Sequence, residues 1–249
     1  PLMLGLSATP ERTDKLERVY QWFLGPIAVR KHIERDVTVD VVQVYFRRPD
    51  RCTTRVNWSG QTDTVSMVTA LVKDETRTAW IAARVRAYRD AGRCVLVLSH
   101  RTAHVAAIAA LVPDAGILVG GQTEEEDAAA MESDVIVATY QSAGEGFDCK
   151  KLDCLVMATP QKNIVQAVGR ILRRKQYPRP PLILDVEDAP APLFARYAKG
   201  RRAFYAAQRH PSYTVRRCRV EAADPSTEHP VARAAPTERE RREQAPCLL

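Results

Sequence analysis

Between Cys94 and Val186 one pattern recurs: a short, almost wholly apolar run, with stretches of helical spacing between the runs. The runs are Cys94–Ser99, Gly116–Val119, Asp134–Ala138, Asp153–Ala158 and Leu182–Val186. The helical candidates between them are Thr102–Leu111, Thr123–Met131 and Asn163–Arg174. A strand that is apolar on both sides has to be covered on both faces, and helices interleaved with such strands supply that cover. The pattern therefore predicts an α/β domain with a doubly wound parallel sheet. Thr123, followed by Glu126, reads as a capping box that opens its helix. Ligands of such sheets gather outside the carboxyl ends of the strands. Attention falls on Ser99-His100-Arg101, Gly120-Gly121, Thr139 to Asp148, and Thr159-Pro160.

The flanking regions are less regular. Leu2 to Leu6 is a strand candidate that runs into Ser7-Ala8-Thr9-Pro10. A helix with Leu16, Val19, Tyr20 and Phe23 on its apolar face follows, capped by Thr13 or Asp14 and ended by Gly25-Pro26. Val37 to Phe46 is rich in valine and aromatics and reads as a strand, and Arg47 to Thr62 as a loop. Val68, Leu71, Val72, Ile81, Ala82, Val85 and Tyr88 predict one long helix from Thr64 to Ala91, stopped by Gly92. Pro192 to Arg209 is a closing helix. Glu221 to Leu249, with four prolines and no aromatic residue, reads as disordered.

Composition narrows the class. The 249 residues suffice for one full α/β domain with additions, and 45% hydrophobic content supports a packed core. A net charge of +7 favours phosphate-rich partners, although it is modest for the length. No run of apolar residues is long enough for a membrane span. The first residues do not resemble a signal peptide, and the absence of an initial methionine implies a start inside a larger protein. Cys52, Cys94, Cys149, Cys154, Cys218 and Cys247 form no C-x-x-C pair, so we expect reduced thiols and an intracellular protein.

Chemistry-bearing residues concentrate in few places. Gln166-Ala167-Val168-Gly169-Arg170-Ile171-Leu172-Arg173-Arg174 sets Arg170 and Arg173 three apart, on one face of a helix, where two guanidinium groups can clamp a phosphate. Val168, Ile171 and Leu172 would bury against the sheet, and Gly169 lets another surface approach. A basic helix with a solvated arginine face accounts for the same residues. Thr139 to Asp148 carries hydroxyls, glycines and acids after a buried strand, suited to a phosphate or ribose; a flexible loop is the plainer alternative. Basic and aromatic residues mix along the closing helix (Phe194, Arg196, Tyr197, Lys199, Arg201, Arg202, Phe204, Tyr205). They suit either single-stranded nucleic acid or packing against the sheet. His100 and His104 lack a carboxylate partner for a metal. Asp185, Glu187 and Asp188 read as a strand end with solvated acids.

Taken together, the motifs resemble those of superfamily 2 helicases. Leu4-Gly5-Leu6-Ser7-Ala8-Thr9-Pro10 is similar to motif III, Val95 to Arg101 to motif IV, Ala138-Thr139 through Glu145-Gly146-Phe147-Asp148 to motif V, and Gln166-x-x-Gly169-Arg170-x-x-Arg173 to motif VI. Ala158 to Gln161 is reminiscent of helicases encoded by large DNA viruses. The resemblance implies a RecA-like fold. It implies a remnant of a first RecA-like domain over residues 1–30, a connector over 31–63, a second RecA-like domain over 64–210 and a tail over 211–249. Arg170 and Arg173 would be arginine fingers acting on ATP, with Gln166, Gly146 and Asp148 at the nucleotide. Thr139, Arg101 and Ser99 would contact DNA or RNA, and Ser7 and Thr9 would couple the two sites. The sequence holds no G-x-x-x-x-G-K-[ST] and no D-E-x-H, so ATP and Mg²⁺ would be held mainly by an absent N-terminal helicase half, and the chain alone would be inactive. A non-catalytic nucleic-acid-binding or regulatory module is the alternative.

Overall fold

The computed structural model describes residues 3–5, 16–29, 36–47, 53–144, 147–208, 211–221 and 224–230. The chain divides into two compact units, Pro1–Arg35 and Asp36–Leu249.

In the first unit, helix α1 spans Glu17–Leu24 and ends at Gly25, whose φ of 79° few other residues adopt. Leu16 occupies the cap position without a side-chain hydrogen bond. The expected caps Thr13 and Asp14 lie outside the described residues, as do Ser7 and Thr9. Met3 to Gly5 are not in a strand, against expectation. A short apolar run needs a neighbouring ladder, and none is present among the described residues of this unit.

In the second unit the chain runs β1 (Thr38–Arg47), α2 (Thr64–Val72), α3 (Glu75–Asp90), β2 (Val95–Ser99), α4 (Thr102–Ala110), β3 (Gly116–Leu118), α5 (Glu124–Glu132), β4 (Val135–Thr139), β5 (Cys154–Met157), α6 (Val165–Ile171), β6 (Leu182–Ala189), α7 (Pro192–Ala207), β7 (Ser212–Glu221) and β8 (Asp224–Pro230). The strands form one sheet in the order β3-β4-β2-β5-β6-β1-β7-β8. All neighbours pair in parallel except β7 and β8. Apolar side chains bury on both faces. Val42, Val44, Val95, Val97, Val156 and Leu184 pack with α3 and α4 on one face. Val39, Val41, Leu96, Leu98, Leu155 and Ile183 pack with α6 and Tyr205 of α7 on the other. Thr123 and Glu126 form the predicted capping box of α5.

Three expectations change. Residues 64–91 form two helices, because the Asp74 carboxylate accepts from the Arg77 amide and starts α3 afresh. Thr38–Arg47 is no connector: both its faces are buried, and it lies between β6 and β7. Ser212–Pro230 is not a disordered tail, because parallel pairing of β7 along all of β1 satisfies its backbone and buries Cys218 and Val220. Residues 231–249 lie outside the described residues.

Candidate functional site

The carboxyl ends of β2, β4, β5 and β6 share one edge of the sheet, and the segments that resemble motifs IV, V and VI lie on or follow β2, β4 and β5. β5 leads into the segment Ala158–Gln161, which α6 follows. Two buried arginines hold this segment, one from each face of the sheet. Arg77 of α3 pairs with Asp188 through Nε and Nη2 (2.6 and 2.9 Å) and donates to the Ala158 carbonyl at 2.7 Å. Arg201 of α7 pairs with Asp185 at 2.7 Å and donates to the Gln161 carbonyl at 2.8 Å. Burial raises the Asp188 carboxyl above its ordinary range, and the Arg77 charge opposes that rise. Thus Asp185 and Asp188 are not solvated acids. They sit at 0% and 2% exposure because arginines on α7 and α3 neutralise them, and Arg202 does the same for Glu187 at 2.7 Å.

Thr159 knits this segment to its neighbours. Its hydroxyl accepts from the His100 amide at 3.0 Å and lies 2.8 Å from His100 Nδ1, while its carbonyl accepts from Tyr140 Oη at 3.1 Å. The His100 and Tyr140 rings lie 4.5 Å apart. Burial, then the Arg101 charge, lowers the His100 pKa, so its imidazole is neutral near pH 7.

α6 is shorter than its sequence pattern. It ends at Ile171, where the Tyr177 hydroxyl donates to the Ile171 carbonyl and accepts from the Arg174 amide. Arg173 therefore lies beyond the helix, yet it remains beside Arg170. Arg170 donates to the Phe147 carbonyl, with its guanidinium 5.9 Å from the Phe147 ring, and Arg173 pairs with Asp148. That bond to Arg173 pulls the exposed Asp148 carboxyl below the usual carboxylate range. Burial and the adjacent Arg173 lower the Arg170 pKa. Arg174 ties the same loop at the carbonyls of Lys150 and Lys151. As expected, Val168, Ile171 and Leu172 are buried. Gln166 is exposed, and the space where a Gly169 side chain would project is open for 4 Å.

The other candidates divide. Thr139 is half-buried, its Oγ1 accepting from the Ser142 amide at 3.0 Å. The Arg101 guanidinium reaches the Val65 and His100 carbonyls at 3.2 Å and stays partly exposed. Ser99 is fully buried against His104 Nδ1 at 3.0 Å, so its side chain is not offered to a ligand; strand β2 turns it inward. Gly146 lies outside the described residues. On the closing helix, Phe194, Arg201 and Tyr205 are buried and Tyr197 and Phe204 pack against the core, so packing accounts for its aromatics, while Arg196 and Lys199 stay exposed. The signal sequence reasoning missed is the pairing of Arg77 and Arg201 with β6 acids. One pair is separated by 111 residues, beyond any local pattern.

The donor set around Arg170 fits the edge of a phosphate: two adjacent guanidinium groups, partly exposed. It does not fit a magnesium ion, because Asp148 is already held by Arg173. Among the described residues no cluster of His, Cys, Asp or Glu could hold a metal ion, and no helix is long and apolar enough to cross a membrane.

The sheet order, the two-sided cover and the motif loops along one edge define a RecA-like α/β fold. Two solved structures share it: T4 UvsW, with a TM-score of 0.58 and 19% identity over 74% of this chain and 42% of the other, and a variant of S. cerevisiae Dbp5 bound to RNA and ADP BeF3, with a TM-score of 0.50 and 14% identity over 88% and 51%. No family model matches the chain. In sequence, the chain is 27% identical over 219 residues to a proposed ATP-dependent RNA helicase of Acanthamoeba polyphaga mimivirus, covering 84% of this chain and 42% of that protein. It is 29% identical over 85 residues to a proposed ATP-dependent RNA helicase of African swine fever virus, covering 33% and 17%. The chain thus resembles helicases of large DNA viruses, and it spans less than half the length of these relatives.

Proposed function

We propose that this chain is the second RecA-like domain of an ATP-dependent superfamily 2 helicase or translocase. The observation that carries this reading is the convergence of Arg170 and Arg173 on Phe147 and Asp148, which brings the segment that resembles motif VI, along α6 and just past its end, onto the loop that resembles motif V. Arg170 and Arg173 are the fingers, and they face the terminal phosphates of ATP held mainly by another RecA-like domain. That domain supplies the phosphate cradle and the magnesium ligands. Bound ATP provides the scissile phosphoanhydride. The two arginines of this chain stabilise charge on its terminal oxygens, for which they exchange their present carbonyl and carboxylate partners. Asp148 keeps Arg173 poised until that exchange. Gln166, exposed on the same helix, borders the nucleotide. Gly169 leaves room for the facing surface. Thr139 and Arg101 contact the backbone of a nucleic acid, giving grip without sequence preference, and Ser99 acts through its hold on His104.

The test joins this chain to a polypeptide carrying the phosphate loop and acidic motif and measures ATP turnover with and without nucleic acid. We expect nucleic-acid-stimulated turnover that Arg170→Ala reduces by at least about a thousandfold while the thermal midpoint is unchanged. Equal turnover in that variant would overturn the finger assignment.

A further inference from the structure

At the carboxyl end of β1 and β7, the sheet face shared with α7 carries Tyr45, Arg217 and Arg219. Register sets Arg217 beside Gln43 and Arg219 beside Tyr45. The Arg219 guanidinium lies 5.7 Å from the centroid of the Tyr45 ring. Arg219 is exposed, and Tyr45 and Arg217 are partly so. α7 covers this face lower down, where Phe204 and Tyr205 pack on Tyr213 at 5.7 and 5.3 Å, and in the row of Tyr45 its Arg202 reaches Glu187 of β6.

Charge pairing separates these arginines from the rest of the neighbourhood. The acids of β6 are all matched: Asp185 by Arg201, Glu187 by Arg202 and Asp188 by Arg77. No ion pair among the described residues includes Arg217 or Arg219. Arg216 adds a further exposed cation on the opposite face of β7. An aromatic ring with an arginine plane over it, beside a second arginine, is the arrangement that stacks a base and holds its phosphate.

We propose that Tyr45, Arg217 and Arg219 form an auxiliary binding site for single-stranded nucleic acid. This rests on the reading that Arg101 and Thr139 hold nucleic acid at the same edge of the sheet. β7 lies four strand positions from β2, about 19 Å at the usual strand spacing. One extended strand that leaves Arg101 therefore reaches the Tyr45 platform after a few nucleotides. The site lengthens the footprint of the domain and adds no sequence preference.

Fluorescence anisotropy of the purified chain with labelled single strands of about 4 and about 12 nucleotides, as RNA and as DNA, tests this. Arg217→Ala with Arg219→Ala weakens binding of the long strand about tenfold, lowers its log–log salt slope by about 1.4, and leaves the short strand bound at the Arg101 site as before. Tyr45→Leu weakens the long strand about five- to tenfold without changing that slope. Arg101→Ala weakens both lengths. Circular dichroism melting confirms that each variant is folded. If the double variant binds both lengths as the unmodified chain does, while Arg101→Ala weakens them, the auxiliary site is overturned and the edge reading stands. If only the double variant and Tyr45→Leu lose affinity, the auxiliary site stands and the edge reading fails. Binding of neither length overturns both.

Discussion

Arg77 and Arg201 each meet an aspartate of β6 with no more than 2% of either side chain exposed, whereas Arg173 meets Asp148 with 29% and 54% of those side chains in solvent. The chemistry is identical and the consequence opposite. A guanidinium shut away from water cannot leave its carboxylate without stranding a charge, so the buried pairs are fixtures of the fold. At the rim, water compensates for separation and the arginine is free to take another anion. The molecule thus uses one residue type for two jobs, with burial deciding which. The buried pair of arginines fixes the Ala158–Gln161 segment, and that segment leads into the helix carrying Arg170.

The largest expected effect breaks the buried side of this contrast. Arg77→Met or Arg201→Met costs about 3–5 kcal/mol in chemical denaturation, because each leaves an uncompensated buried aspartate. Adding Asp188→Leu to Arg77→Met recovers most of that loss. A single variant that costs less than about 1 kcal/mol would remove the fixed role assigned to these pairs.

A second prediction concerns His104, which is buried beside Arg77 and bonded to Ser99 and, at 3.3 Å, to Thr78. Burial, then the Arg77 charge, lowers its pKa from 6.5 to about 3. Between those values the unfolded chain binds the extra proton and the folded chain refuses it. The stability from this site is complete above about pH 6.5 and is lost as pH falls towards 3, by up to ~1.4 kcal/mol per pH unit. Denaturation midpoints measured from pH 7 to pH 4 trace this loss, and His104→Gln flattens it. An unchanged slope in that variant would mean that other groups set the acid limit.

The smallest effect sharpens the exposed side. Asp148→Asn leaves the denaturation midpoint within experimental error, since water replaces what the Arg173 pair loses. A loss as large as that of the buried variants would erase the distinction between core and rim.

Much of this was legible in the sequence, for identifiable reasons. The five strands from β2 to β6 announce themselves by short, largely apolar runs, and Thr123 with Glu126 announces a helix start, because both signals are local. The motif loops were legible through position: residues just past a buried strand have only the ligand edge to occupy. Asp185, Glu187 and Asp188 misled because charge normally implies solvent, and the arginines that contradict this sit on other elements. β7 misled similarly. Arg216, Arg217 and Arg219 make its sequence look like a tail, and what orders it is a ladder to β1, more than a hundred residues earlier. The end of α6 depended on Tyr177, a side chain outside the helix.

That placement of β1 also governs how the domain is built. Its parallel partners, β6 and β7, emerge long after it does, so the ten residues of β1 wait unpaired during synthesis. At typical translation rates the wait is on the order of ten seconds before β6 appears. Pairings this distant slow the search for the native state, since the chain closes a long loop before it gains the contact. The apolar valines of β1 are meanwhile open to other chains. Folding of this domain is therefore a late event, completed only when β7 arrives to flank β1, the first strand of its sheet.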